Sequence, residues 1–162
     1  MNREMLSTIA ASMKVMDGLK AMLDALKQHE VKLYIVSGSI RSIIDDVLNK
    51  YLGDLDYYFT DIRANQLKFS STDGSLDEIV GTEFDFWGKA RYVKDKVIHK
   101  NKFHPFEVWY VGNSHNDKFV ACSGARTLCI NPNNVDIHTR GLWTRVESDV
   151  TDITKILEVF TF

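Results

Sequence analysis

The sequence predicts an α/β fold, a Rossmann-like, doubly wound and mostly parallel sheet with a small β-hairpin. Three observations carry this expectation. Apolar runs of strand length alternate with segments of 10 to 12 residues whose apolar positions recur at helical spacing. Two of the strands, Leu33-Tyr34-Ile35-Val36 and Val108-Trp109-Tyr110-Val111, run directly into short polar loops, as strands do at the ligand-binding rim of a parallel sheet. An Asp73-Gly74 turn signal separates two short β-type stretches, which is the mark of a hairpin.

Taken in order, Leu19, Met22, Leu23 and Leu26 fall on one helical face and predict a helix over Gly18 to His29, with Asp17 placed to cap it. A strand follows over Val31 to Val36. Ile40, Ile43, Ile44, Val47, Leu48 and Tyr51 then form a second helical stripe that stops at Gly53. Tyr57-Tyr58-Phe59 reads as a strand, and Gln66 to Phe69 with Leu76 to Val80 as the hairpin. Gly88 to His99 is helical, Phe106 to Val111 a strand, Asp117 to Ser123 a short helix and Arg126 to Ile130 a strand. Residues Asn131 to Thr144 carry little pattern and read as surface loop with an edge strand at Leu142 to Thr144. A closing helix uses Ile153, Ile156, Leu157 and Phe160.

Composition narrows the function classes. A chain of 162 residues, 44% hydrophobic and 26% charged, suffices for one domain with a substantial core and is short for two. With a net charge of −2 it has no basic stripe for nucleic acid, and no run approaches the roughly 20 apolar residues of a membrane span. Cys122 and Cys129 match neither a disulfide framework nor a zinc motif and read as small buried residues, so a reduced, cytoplasmic setting is expected.

The two polar loops hold the chemistry. Glycine lets a loop bring backbone N–H groups close to an anion, and Ser37, Asn113 and Asp117 offer hydrogen bonds or hard oxygen ligands. Each has an ordinary alternative: Ser37 as a turn or cap serine, Asp117 as a helix cap, Lys89 as part of a solvated face with Lys94 and Lys96. Arg41 is placed either to reach an anion at a helix N-terminus or to face solvent. His115 is a titratable group inside the second loop.

In chain order, Val36-Ser37-Gly38-Ser39, the stretch Tyr58 to Val80 with Ala64-Asn65-Gln66-Leu67, Gly88-Lys89-Ala90 and Gly112 to Asp117 resemble the motifs of haloacid dehalogenase-like hydrolases, in their phosphoserine phosphatase-like branch. The resemblance runs from about Met16 to Pro132. It implies that Ser37 and Gly38 bind a transferring phosphoryl group, and that Lys89 neutralises charge around nucleophile and phosphate. It further implies that Asn113 and Asp117 hold Mg²⁺, with Ser37 and Lys89 as the catalytic residues. Such chemistry needs a cation and donors around the phosphoryl group because negative charge concentrates there.

Two departures shape the expectation. The family's Asp-x-Asp nucleophile motif closes a strand upstream of the serine motif, and no Asp-x-Asp stands there; Asp54-Leu55-Asp56 follows a helix cap and reads as a solvated turn. Asn113 stands where the first acid of the metal motif is expected. By that comparison the first central strand is missing, Met1 to Met16 is the remnant of a cap or linker helix, and residues 17–162 are an incomplete core. Met5, Leu6, Ile9 and Met13 then need a partner surface. Two free sheet edges would be closed by pairing Val31–Val36 with Val108–Val111, or by a strand from another chain. The function expected is a phosphohydrolase domain acting on a small phosphate ester by Mg-assisted phosphoryl transfer, inactive alone for want of a nucleophile. A non-catalytic phosphate-binding or assembly module of the same descent stands beside it. The partners expected are a small phosphorylated molecule, and a second copy or a complementing N-terminal strand.

Overall fold

The computed structural model describes residues 2–81, 87–132 and 141–160, apart from the side chain of His115. The chain forms two compact units, one of Met1–Thr82 with Thr151–Phe162 and one of Glu83–Val150.

In the first unit, α1 (Arg3–Ser12) is capped by Asn2, whose side chain accepts from the Met5 N–H at 3.0 Å. Leu6 and Ala10, one turn apart, bury against Ile43 and Val47 of α3 (Arg41–Leu52). The small Ala10 side chain lets the helices approach. Only Leu6 of the four residues that called for a partner surface is buried; Met5, Ile9 and Met13 remain 54%, 43% and 45% exposed.

Helix α2 (Leu19–Gln28) buries Met22, Leu23 and Leu26, as its periodicity demands. Its cap is Gly18 rather than the side chain of Asp17. Gly18 adopts a left-handed φ of 77°, and a Cβ there would meet Asp152 Oδ1 at 2.1 Å, so only glycine fits. Asp17 contributes its backbone instead, its carbonyl accepting from the Ile153 N–H at 2.9 Å.

Strand β1 (Leu33–Ile40) pairs in parallel with β2 (Phe59–Phe69), which pairs antiparallel with β3 (Leu76–Val80) across the expected hairpin. Tyr57 and Tyr58 are not strand residues. They close a helical turn, α4 (Leu55–Tyr58), because the Asp54 side chain accepts from the Tyr57 N–H at 3.1 Å and caps it. Tyr58 turns inward and donates to Asp24 at 2.6 Å.

The second unit holds α5 (Gly88–Tyr92), which widens into π-type turns over Val93–His99. Its parallel sheet has the order β4 (Trp109–Gly112), β5 (Arg126–Ile130), β6 (Arg145–Glu147). Phe106 lies in a single 3-10 turn, Pro105–Glu107, instead of a strand; proline opens the turn and the Glu107 carboxylate accepts from the His104 N–H at 2.7 Å. Leu142 to Thr144 is not a ladder strand. It is tied to β5 through the fully buried Thr127, whose N–H donates to Thr144 Oγ1 at 3.0 Å and whose hydroxyl donates to the Leu142 carbonyl at 3.1 Å. Most of the expected surface loop, 133–140, lies outside the described residues.

Cys129 is buried on β5, whereas Cys122 is exposed on the 3-10 segment His115–Ser123. The closing helix of the first unit is also 3-10, Ile153–Val159. Its three-residue period buries Ile153, Ile156 and Val159, so Leu157 and Phe160 leave the stripe that a 3.6-residue period assigns them. Among the described residues, β1 is a terminal strand of the first sheet and β4 of the second.

Candidate functional site

One polar loop interrupts β1 just before its last residue, and the other leaves the carboxyl end of β4. At β1 the ladder steps from Val36 opposite Arg63 to Ile40 opposite Asn65, so Ser37, Gly38 and Ser39 bulge away from the sheet. The Ser37 hydroxyl accepts from the Ser39 N–H at 3.1 Å, and the Gly38 carbonyl accepts from the Asn65 amide at 2.7 Å, which fixes the bulge from both sides. A Cβ at Gly38 would meet nothing within 4 Å, so the backbone there faces open space.

Arg41, four residues on, is not free for an anion. Its Nε donates to both oxygens of Asp45 at 2.7 and 2.8 Å, and its Nη1 donates to the Ile62 carbonyl of β2 at 2.6 Å. Asp54, Leu55 and Asp56 line an open cleft of about 350 Å³ with Arg41 and Asp45. Asp54 serves there as the cap of α4, in keeping with a solvated turn.

At β4 the geometry converges on Asp117, which is 4% exposed. Oδ1 accepts from Lys89 Nζ and from the Tyr110 hydroxyl, each at 2.6 Å. Oδ2 accepts from the Asn113 N–H at 3.1 Å, the Ser114 N–H at 2.9 Å and the Ser114 hydroxyl at 2.6 Å. Gly112 makes this possible, since a Cβ there would lie 2.7 Å from the Asp117 Cγ. Burial pushes the Asp117 carboxyl up, but the hydrogen bonds from Lys89, Ser114 and Tyr110 and the Lys89 charge outweigh it and hold the group at about 2. Burial first, then the Asp117 charge and hydrogen bond, drive the Tyr110 hydroxyl far above its ordinary value.

Of the residues singled out from the sequence, Lys89 and Asp117 meet directly. Asn113 contributes its backbone N–H to Asp117 while its side chain is exposed. Ser37 and Gly38 belong to the first unit, and Lys89, Asn113 and Asp117 to the second. The side chain of His115 lies outside the described residues. Sequence reasoning missed Tyr110 and Ser114. Ser114 was legible as the first member of a Ser-x-x-Asp capping pattern with Asp117. Tyr110 carries no signal beyond the two-residue strand period that sets it on the same face as Gly112.

The haloacid dehalogenase-like hydrolase model matches residues 2–120. This chain belongs to that family. Its relatives place it in the phosphoserine phosphatase-like branch. It is 30% identical to the phosphoserine phosphatase of Bos taurus and 29% identical to that of Homo sapiens, in each case over 110 residues, 67% of this chain and 45% of the relative. The chain thus spans less than half the length of the curated relatives it matches. A substrate-bound phosphoserine phosphatase complex shares its fold with a TM-score of 0.81 at 15% identity, covering 99% of this chain and 71% of that one. A haloacid dehalogenase family hydrolase from Salmonella enterica serovar Typhi has a TM-score of 0.76 at 15% identity, over 96% of this chain and 50% of its own.

The family's phosphatases imply Mg²⁺, and the donor set at β4 fits that ion poorly. Mg²⁺ takes hard oxygens in an octahedral array, keeping several waters and relying on one or two accessible carboxylates with substrate phosphate. Both Asp117 oxygens already accept hydrogen bonds from protein donors, and Asn113 brings no charge. Among the described residues no group of three or more His, Cys, Asp or Glu is disposed to hold a metal. Nor, among the described residues, is any helix long and apolar enough to cross a membrane.

Proposed function

We propose that this chain is a phosphohydrolase-type domain that accommodates a small phosphate ester, and that residues 1–162 alone do not turn it over. The observation that carries the reading is the buried Lys89–Asp117 pair at the carboxyl end of β4, built from the two stretches that resemble the family's lysine and acid motifs. The family resemblance assigns Ser37 and Gly38 to phosphoryl binding, and within the first unit they present a hydroxyl and an open backbone turn. Within the second unit, taken by itself, Lys89 supplies positive charge, and Asp117 holds the lysine in one position, which saves reorganisation when an anion arrives. Mg²⁺, the cofactor the family implies, enters no step of this proposal. Upstream of Ser37 the sequence has no Asp-x-Asp to accept the phosphoryl group.

Among the described residues β1 and β4 are each a terminal strand of their own sheet, which supports a complementing strand as partner, with a second copy of the chain as the other candidate. Family relatives named phosphoserine phosphatase make a phosphorylated amino acid the first ester to try. Phosphoserine and p-nitrophenyl phosphate, each incubated with the chain and Mg²⁺, are expected to release no phosphate above the blank. Tungstate, a phosphate mimic, is expected to raise the melting temperature of the wild type and not of Ser37→Ala. Turnover that survives in the double variant Asp54→Ala, Asp56→Ala would show that a nucleophile acts elsewhere in these residues. Absence of any tungstate effect would sink the phosphate-site reading.

A further inference from the structure

We infer that the loop from Gly112 to Asp117 has exchanged a divalent ion for an internal cation, the Lys89 ammonium, and that this chain by itself binds no Mg²⁺ there. The inference rests on reading the loop as the family's metal motif, and it turns on charge and on lone pairs.

The charges already cancel. Lys89 Nζ sits 2.6 Å from Asp117 Oδ1 as an ion pair, with side-chain exposures of 13% and 5%. Asn113 occupies the position of the other acid without adding charge. A divalent ion approaching this neutral pair meets no residual negative charge to offset the loss of its hydration, and Mg²⁺ sheds water reluctantly.

The lone pairs are taken as well. An ionised carboxylate offers about four acceptor sites. Two donors occupy Oδ1 and three occupy Oδ2. Reaching Oδ1 means expelling Lys89 or the Tyr110 hydroxyl. Reaching Oδ2 means breaking the Ser114 and Asn113 contacts that hold the loop against Gly112, where the carboxylate sits too close for any Cβ. The Asn113 side chain, by contrast, is exposed, so a carboxylate in its place would add negative charge without disturbing the packing.

Mn²⁺, a paramagnetic stand-in for Mg²⁺, allows a direct test by electron paramagnetic resonance of the free ion. Titrating wild-type chain into Mn²⁺ is expected to leave the free-ion signal unchanged. Asn113→Asp adds one ligand and one charge and is expected to bind at least about tenfold more tightly than wild type, since charge count tunes affinity at such sites. Lys89→Gln, which empties part of Oδ1, is expected to move in the same direction; if it does not fold, the exposed Asn113→Asp position decides alone. Saturable binding of one Mn²⁺ per wild-type chain in the submillimolar range would overturn the inference. So would an Asn113→Asp variant with no gain, because residue 113 would then not be the deciding position. The signal counts bound metal and not turnover, so a failed phosphatase or tungstate assay leaves this result standing, and the reverse.

Discussion

Five donors converge on the Asp117 carboxylate, and Tyr110 is the one that can be removed with least disturbance to the rest. Its ring stays in place in Tyr110→Phe, and the loop keeps Ser114 and Asn113 on Oδ2. What is lost is one 2.6 Å hydrogen bond to an ionised, buried oxygen. Hydrogen bonds to charged groups contribute about 1.5–3 kcal/mol, so Tyr110→Phe is expected to lower the unfolding free energy by that amount, read as a lower urea midpoint at an unchanged slope. A loss below about 0.5 kcal/mol would mean that Lys89 alone satisfies Oδ1. The same reasoning separates the two serines of interest. Ser114 is committed to Asp117 through both its N–H and its hydroxyl, whereas Ser37 uses its oxygen on the neighbouring Ser39 N–H, a weaker local turn.

At the scale of elements, glycine shows how differently two similar loops are built. Gly112 and Gly38 look alike in sequence, each following an apolar strand and preceding a serine within two residues. In the structure, a Cβ at Gly112 would collide with Asp117 at 2.7 Å, while one at Gly38 would touch nothing within 4 Å. Gly112→Ala is therefore expected to cost about 1–3 kcal/mol by forcing the carboxylate off its donors. Gly38→Ala, at an ordinary backbone angle, is expected to stay within about 0.5 kcal/mol of wild type, both variants being compared by urea unfolding. A Gly112→Ala chain as stable as Gly38→Ala would show that the loop can rearrange around Asp117.

The helical stripes of α2 and α3, the parallel strands and the hairpin were legible because period and turn chemistry agree with the final packing. Other elements were misread where local hydrogen bonds overrule pattern. Asp54 caps a turn that draws Tyr57 and Tyr58 out of β2, and Pro105 with Glu107 does the same to Phe106. The closing segment tightens to a three-residue period that exchanges Phe160 for Val159 in the buried stripe. At the candidate site, Lys89 and Asp117 were legible through the resemblance of Gly88-Lys89-Ala90 and Gly112 to Asp117 to the family's motifs. The convergence of Tyr110 and Ser114 on one carboxylate depends on a tertiary approach that no window of sequence contains.

At the scale of the whole molecule, the distribution of tryptophan makes the two units separately visible. All three tryptophans, Trp87, Trp109 and Trp143, lie in the unit that contains Asp117, so tryptophan-selective fluorescence follows that unit while far-ultraviolet circular dichroism follows the whole chain. The folded Asp117 carboxyl, at about 2, lies below its unfolded value of 3.8. A depressed carboxyl stabilises the fold above the unfolded value, and that stabilisation disappears as pH falls through the folded one. The window is therefore the span from about pH 4 down to about pH 2, and at about 1.4 kcal/mol per pH unit the linked stabilisation amounts to roughly 2 kcal/mol. Asp117→Asn removes the titrating group but keeps the side-chain shape. The stability gap between wild type and Asp117→Asn, read by tryptophan fluorescence in urea, is expected to narrow by roughly 2 kcal/mol between pH 5 and pH 2. A gap that stays constant across that window would mean that Asp117 takes up its proton at the same pH folded and unfolded. That result would dissolve the Lys89 pairing on which both the phosphate reading and the internal cation depend.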